Sequence, residues 1–172
     1  MSDEQRAATG EAGKYHFFVD LDGVLADFDA GVQALFGRSP DELPPPVLWS
    51  RLAKTPGFYN ELEWMNDGKE LWNFVVKFGP TILTGLPRGT WAEPQKRSWC
   101  KRELGENVPV IACLSKEKPE KAKATVAKGI VPVLIDDRQS LQEAFEAIGG
   151  IFVHHRSSKG SLAELRKLLK LE

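Results

Sequence analysis

The sequence predicts an α/β fold: a doubly wound parallel sheet with a small helical insertion after the first strand. Three observations lead there. Short apolar runs at 17–19, 80–83, 108–113, 131–135 and 151–153 alternate with stretches of helical periodicity, the pattern of strands joined by crossover helices. Crossovers make strands parallel and cover both sheet faces, which explains runs that are apolar throughout. Two of the runs stop abruptly at acids, Phe17-Phe18-Val19 at Asp20 and Val133-Leu134-Ile135 at Asp136-Asp137. The carboxyl ends of parallel strands open on a cleft, where such sheets bind ligands.

Taken in order, residues 1–13 begin polar and acidic (MSDEQRAATGEA), lack the apolar core of a signal peptide, and read as a disordered tail. The body of the chain runs from 14 to 172. After strand one, Val24 to Phe36 places Leu25, Phe28, Val32, Leu35 and Phe36 on one helical face, with Gly37 as the stop. Asp27 fits either a helix cap or a polar position at the cleft mouth. The prolines of Ser39–Pro46 predict an irregular segment. Val47–Ala53 and Gly68–Phe78 read as helices on either side of a turn at Thr55-Pro56-Gly57. No strand pattern occurs between Gly23 and Pro80, which leaves residues 28–78 as the insertion. Further helices are expected at 93–104, stopped by Gly105; at 116–128, lysine-rich and partly looped; at 140–148, capped by Ser140; and at 161–171, with its leucines inward.

The bulk numbers narrow the class. At 172 residues and 42% hydrophobic content the chain suits one domain. A net charge of −1 argues for neither bulk nucleic-acid nor membrane affinity, while leaving room for a local basic groove. Cys100 and Cys113 lack metal-ligand spacing and fit ordinary thiols in a reduced, cytoplasmic protein. No apolar run approaches the roughly 18 residues of a bilayer crossing, so no membrane partner is expected.

Asp20 and Asp22 stand one residue apart just beyond a buried strand. They repel each other and have lost hydration, which is costly unless something neutralises them. A divalent cation is the usual answer, and an all-oxygen ligand set favours Mg²⁺. Asp20-Leu21-Asp22-Gly23-Val24 resembles the first motif of the haloacid dehalogenase-like hydrolase superfamily in its phosphatase form, and three later segments follow in the right order.

The resemblance implies a Rossmann-like domain whose helical insertion is a cap over the cleft, and Mg²⁺-dependent phosphomonoester hydrolysis through an aspartyl-phosphate. Asp20 would attack phosphorus. Asp22 would be general acid and then base, with its backbone carbonyl on the metal. An acid at this second position is the phosphatase and phosphomutase spelling, which dehalogenases lack. Thr84 matches the second motif, a hydroxyl for a phosphoryl oxygen, with the backbone N–H groups of Gly85 and Leu86 beside it. The third motif is a lysine that neutralises the nucleophile and the phosphoryl group. Lys116, Lys118, Lys121, Lys123 and Lys128 share the window, and the neighbourhood Ser115–Ala122 favours Lys118. Asp136-Asp137 matches the fourth, with Asp137 as the direct metal ligand and Asp136 acting through water or by orienting a neighbour. Arg138 reads as their structural partner. His154 and His155, adjacent on an extended chain, point opposite ways and form no ready chelate.

For substrate, FFVDLDGVLADFDAG (17–31), Pro56-Gly57-Phe58-Tyr59 and Leu134-Ile135-Asp136-Asp137 resemble the pyrimidine 5′-deoxyribonucleotidases. That implies a small phosphorylated substrate, a nucleotide, with Phe58 and Tyr59 on its base and Trp49 and Trp64 nearby. The same aromatics equally suit the cap's own core. Thr84-Gly85-Leu86 departs from the nucleotidase pattern. Ile135-Asp136-Asp137-Arg138 also resembles the phosphatase domain of phage polynucleotide kinase, which implies a nucleic-acid end. Arg88, Lys96, Arg97, Lys101 and Arg102 would then track a phosphate backbone, with Trp91 and Trp99 as stacking surfaces. Such a run is otherwise a solvated helix face. A phosphotransferase or mutase shares the motifs, whereas a non-catalytic binding module fits four intact motifs less well.

Overall fold

The computed structural model describes residues 10–171. Most of the tail expected at 1–13 therefore lies outside the described residues. Residues 10–12, expected to be disordered, are helical, and Ala12 packs against the core.

Five strands, β1 (Tyr15–Val19), β2 (Thr81–Gly85), β3 (Val110–Cys113), β4 (Val131–Asp136) and β5 (Ile151–His154), form one parallel sheet in the order β3-β2-β1-β4-β5. Alternation along β1 sends Phe17 and Val19 to one face and Phe18 to the other, and both faces are covered. Helices α1 (Phe28–Phe36), α2 (Pro45–Ala53), α3 (Gly68–Val75), α4 (Ala92–Leu104) and α7 (Ser158–Leu168) supply the larger core layer, and α5 (Lys118–Thr125) and α6 (Gln142–Ala147) the smaller. This is the doubly wound, Rossmann-like sheet that the alternating pattern predicts. The strand order reverses at β1, and Val19 is paired with both Ile82 and Ile135. The amide of Asp20 donates to the carbonyl of Ile135 at 3.0 Å, which sets the acids ending β1 and β4 side by side at the switch point.

Several boundaries differ from those expected. Helix α1 begins at Phe28, not Val24. Gly23, at φ +78°, reverses the chain, and the Leu21 carbonyl accepts from the amides of Leu25 and Ala26 at 2.9 Å. Val24 and Leu25 are therefore buried in a turn whose apolar spacing mimics a helix. Asp27 combines its two expected roles: its Oδ1 accepts from Ala30 N at 2.9 Å, and it lines the cleft. Helix α2 starts at Pro45 because first-turn prolines need no amide donor. Ser140 lies inside a short 3₁₀ turn, not at a cap, and α7 begins at Ser158, with the Ser157 hydroxyl accepting from Gly160 N at 3.1 Å.

The insertion is fastened to α4. Tyr59 N donates to Gln95 Oε1 at 2.9 Å, Trp99 Nε1 to the Leu62 carbonyl at 2.8 Å, Arg102 Nη2 to the Asn60 carbonyl at 2.7 Å, and Trp64 Nε1 to Glu103 Oε2 at 2.8 Å. Residues 95, 99, 102 and 103 follow helical spacing, so one stripe of α4 grips the segment 59–64.

Candidate active site

A cleft of about 1280 Å³ opens at the carboxyl edge of the sheet, beneath the insertion. Asp20 and Asp22 enter it after β1, Gly85 and Leu86 at the end of β2, Lys118 at the start of α5, and Asp136 and Asp137 at the end of β4; Phe28, Trp49 and Tyr59 close it from above.

Lys118 is the buried lysine of its window; Lys116, Lys121, Lys123 and Lys128 are exposed. Its Nζ donates to Asp20 Oδ1 at 2.9 Å and to Asp136 Oδ2 at 2.7 Å, with the side chain only 3% exposed. Burial alone would lower the Lys118 pKa, but the charges of Asp20 and Asp136 outweigh it and raise it. Burial, and then the charge of Asp20, push Asp136 up to about 6 and Asp137 up to about 7. Three carboxylates share this corner, and one lysine offsets only part of their charge.

The residues present suit a divalent ion. Asp20, Asp136 and Asp137 each offer a carboxylate oxygen, all within 4.8 Å of one another. Lys118 neutralises one of three negative charges, and the all-oxygen donor set is that of Mg²⁺. Asp136 has both oxygens engaged, Oδ1 by Arg138 N at 2.8 Å and Oδ2 by Lys118. Asp137 is exposed as a whole residue, but its carboxyl end is desolvated beside Gly23 and the other acids and bonds no other described residue, which suits it to direct ligation and Asp136 to an orienting role. Gly23 admits Asp137 to this corner, since a Cβ there would collide with Asp137 Oδ2.

Asp22 is placed differently. Its carboxylate is not in the metal-competent group and turns to Lys96, which binds Oδ2, while Oδ1 is buried without a partner. Burial raises the Asp22 pKa, with Lys96 opposing. The same Nζ donates to Thr84 Oγ1 at 3.1 Å and to the Gly85 carbonyl at 2.8 Å, and lies 4.4 Å from the centroid of the Tyr59 ring.

Other expected roles need correction. Thr84 is fully buried and does not line the cleft, because its hydroxyl is taken by Lys96. Gly85 and Leu86 do line it, but the Leu86 amide is spent on the Cys113 carbonyl at 2.8 Å. Phe58 is buried in the cap's own core against Phe28 and Gly31, whereas Tyr59 reaches the cleft. Tyr59 is flanked by stacked Phe28 and Trp91, with centroids at 6.0 and 5.5 Å. Trp49 lines the cleft; Trp64 instead packs on Trp99. Arg88 lines the cleft, and the cations of the basic run beyond it are paired or buried within the chain. Lys96 is buried, Arg97, Lys101 and Arg102 pair with Glu93, Glu106 and Glu103, and Trp99 is fully buried. His155 is buried at the cleft wall, its Nδ1 hydrogen-bonded to Ser161 Oγ at 2.8 Å, and His154 lies 3.2 Å from the Asp137 carbonyl.

Lys96 is the functional candidate that charge counting misplaces. Its position gives it away: Ala92, Lys96, Trp99 and Cys100 recur at the spacing of one helix face, and all four are buried.

No family model matches the sequence, and no curated protein sequence matches it. Among solved structures, a hydrolase from Streptococcus pneumoniae TIGR4 is 18% identical with a TM-score of 0.51, over 91% of this chain and 99% of that one. A chain from Bacteroides vulgatus, provisionally named a beta-phosphoglucomutase, is 12% identical with a TM-score of 0.38, over 98% and 97%. The first likeness is one of fold and spans nearly the whole of both chains.

Proposed function

We propose that this chain is a Mg²⁺-dependent phosphomonoester hydrolase of the haloacid dehalogenase-like type, with Asp20 as its nucleophile. The observation that carries the reading is the lysine clamp: Lys118, 98 residues beyond Asp20, fixes Asp20 and Asp136 in one buried corner. A structural ion pair needs one acid; two acids on one lysine with a third beside them at a cleft floor leave charge for a cation and a phosphate to balance.

In this reading Asp20, oriented through Oδ1, attacks phosphorus, and the bond to the leaving oxygen breaks as Asp22 gives that oxygen its proton. Asp22 then takes a proton from the water that cleaves the aspartyl-phosphate, which releases phosphate and restores Asp20. Burial keeps the Asp22 pKa above the usual carboxylate range, as a proton donor requires. Lys118 offsets the charge of the phosphoryl group as it transfers. Asp20 and Asp137 would hold Mg²⁺, which would supply further positive charge to the transferring phosphoryl group.

The slab of Phe28, Tyr59 and Trp91, with Arg88 on the same wall, supports a substrate with a flat aromatic part, such as a nucleoside monophosphate. The ion-paired basic run gives little support to a polynucleotide end.

The test is turnover of p-nitrophenyl phosphate, then of a panel of nucleoside 5′- and 3′-monophosphates, sugar phosphates and 3′-phosphorylated oligonucleotides, with Mg²⁺ and with chelator. Asp20→Asn should lower kcat by roughly 10³-fold or more while the fold persists. Retained turnover in that variant would refute the nucleophile assignment.

A further inference from the structure

We propose that Lys96 is a positioning residue for Asp22: it clamps one carboxylate oxygen so that the other alone handles the proton of the leaving group. The inference rests on the hydrolase reading above.

A lysine ammonium has three donors and no acceptor. Lys96 spends all three, on Asp22 Oδ2, on Thr84 Oγ1 at 3.1 Å and on the Gly85 carbonyl at 2.8 Å. No donor is left for a substrate, and the residue is 1% exposed, so any effect on the reaction passes through its partners. Two of those partners belong to β2, a central strand of the sheet. They anchor the ammonium to the most rigid part of the fold, and the third bond carries that rigidity to Asp22. The Tyr59 ring, 4.4 Å away, closes the remaining side.

The arrangement is expensive as a purely structural device. The α4 face that holds Lys96 is otherwise Ala92, Trp99 and Cys100, where an apolar side chain would avoid desolvating an ammonium. What the charge achieves is visible at Asp22. With Oδ2 held by Lys96, rotation of the carboxylate would break that bond, and Oδ1 is its sole unpartnered oxygen. The sequence supplies the clamp 74 residues from the acid, on the same helix that grips the cap.

The consequence is selective. An alkoxide leaving group needs proton donation, whereas p-nitrophenolate departs nearly unaided. The experiment compares kcat/KM for an alkyl monophosphate and for p-nitrophenyl phosphate in wild type, Lys96→Met, Asp22→Asn and the double variant, each with a circular dichroism check of fold. Lys96→Met should lose about tenfold or more activity on the alkyl ester beyond its loss on the aryl ester. In the Asp22→Asn background the same substitution should cost less than about threefold, because the group it positions is already gone. If Lys96→Met alone does not fold, the comparison of Asp22→Asn with the double variant decides, since removing both members of a buried pair is tolerated better than removing one. Equal losses on both esters, or additive losses in the double variant, would overturn the positioning role while leaving the hydrolase reading intact. Wild-type protein inert toward every phosphomonoester would overturn both.

Discussion

With Mg²⁺ as the proposed ion, the acid corner should make stability depend on pH and on the metal with a definite sign. Asp136 and Asp137 are pushed up to about 6 and about 7 from the model-compound value of 3.8, first by burial and then by Asp20. A carboxylate whose folded pKa is raised holds a proton that the unfolded chain has already released. Without metal, stability should therefore fall as pH rises from about 4 to about 7 and level off above. Mg²⁺ needs the ionised forms, so its stabilisation should grow across that window. At Mg²⁺ one hundred times its Kd near pH 8, the gain is about 2.7 kcal/mol. For a chain of 172 residues, at about 2–4 °C per kcal/mol, that is a Tm rise of about 5–10 °C. At pH 5, about one unit below the raised pKa of Asp136, the need to deprotonate it weakens Kd by roughly tenfold. The same Mg²⁺ then gives roughly half the shift. Exposed Asp137 adds in the same direction, its share reduced by solvent screening. The assay is thermal melting by circular dichroism at pH 5, 6, 7 and 8, with EDTA or with Mg²⁺. A Mg²⁺ shift that is absent, independent of pH or larger at pH 5 would refute the assignment of these acids as the metal site.

Three substitutions probe the surrounding structure. Lys118→Met should abolish phosphatase turnover and lower metal-free stability by about 3–5 kcal/mol in urea titrations at pH 8, because two acids lose a buried partner; added Mg²⁺ should restore part of it. Gly23→Ala places a Cβ against Asp137 Oδ2 at a φ of +78°, and should erase most of the Mg²⁺-dependent Tm shift in the same melts. Trp99→Phe removes the donor to the Leu62 carbonyl and should cost about 1–3 kcal/mol by denaturant titration, with KM rising more than kcat falls as the cap segment loosens.

What the sequence made legible was whatever depends on strand ends. Asp20 and Asp136 could be placed because apolar runs stop at them, and Lys118 because one neighbourhood out of five resembled a known spelling. Side-chain direction was the harder part. Thr84 ends its strand where the motif requires, yet its hydroxyl meets Lys96, a contact fixed by a helix that begins eight residues later. Lys96 itself was obscured by its neighbours: within Lys96-Arg97-Ser98-Trp99-Cys100-Lys101-Arg102, charge suggests a solvated face, and only the 92, 96, 99, 100 spacing separates the inward cation from the outward ones. Val24 and Leu25 misled in the opposite sense, since a buried turn beneath a cap needs the same apolar residues as a helix face.

Helix α4 joins these observations into one mechanical argument. Its inner stripe holds Lys96 and, through it, Asp22; a second stripe holds residues 59, 60, 62 and 64 of the cap by hydrogen bonds of 2.7–2.9 Å. The aromatic wall around Tyr59 and Asp22, the proposed leaving-group acid, are therefore fixed to the same helix. Substrate entry cannot proceed by swinging that wall aside without also disturbing Asp22. Helix α2 reaches the same cleft through Trp49 and makes no side-chain hydrogen bond to the sheet domain among the described residues; Leu48 and Leu52 hold it by packing in the core. In the proposed reaction, the wall for the flat part of a substrate and the acid for its leaving group thus depend on one element.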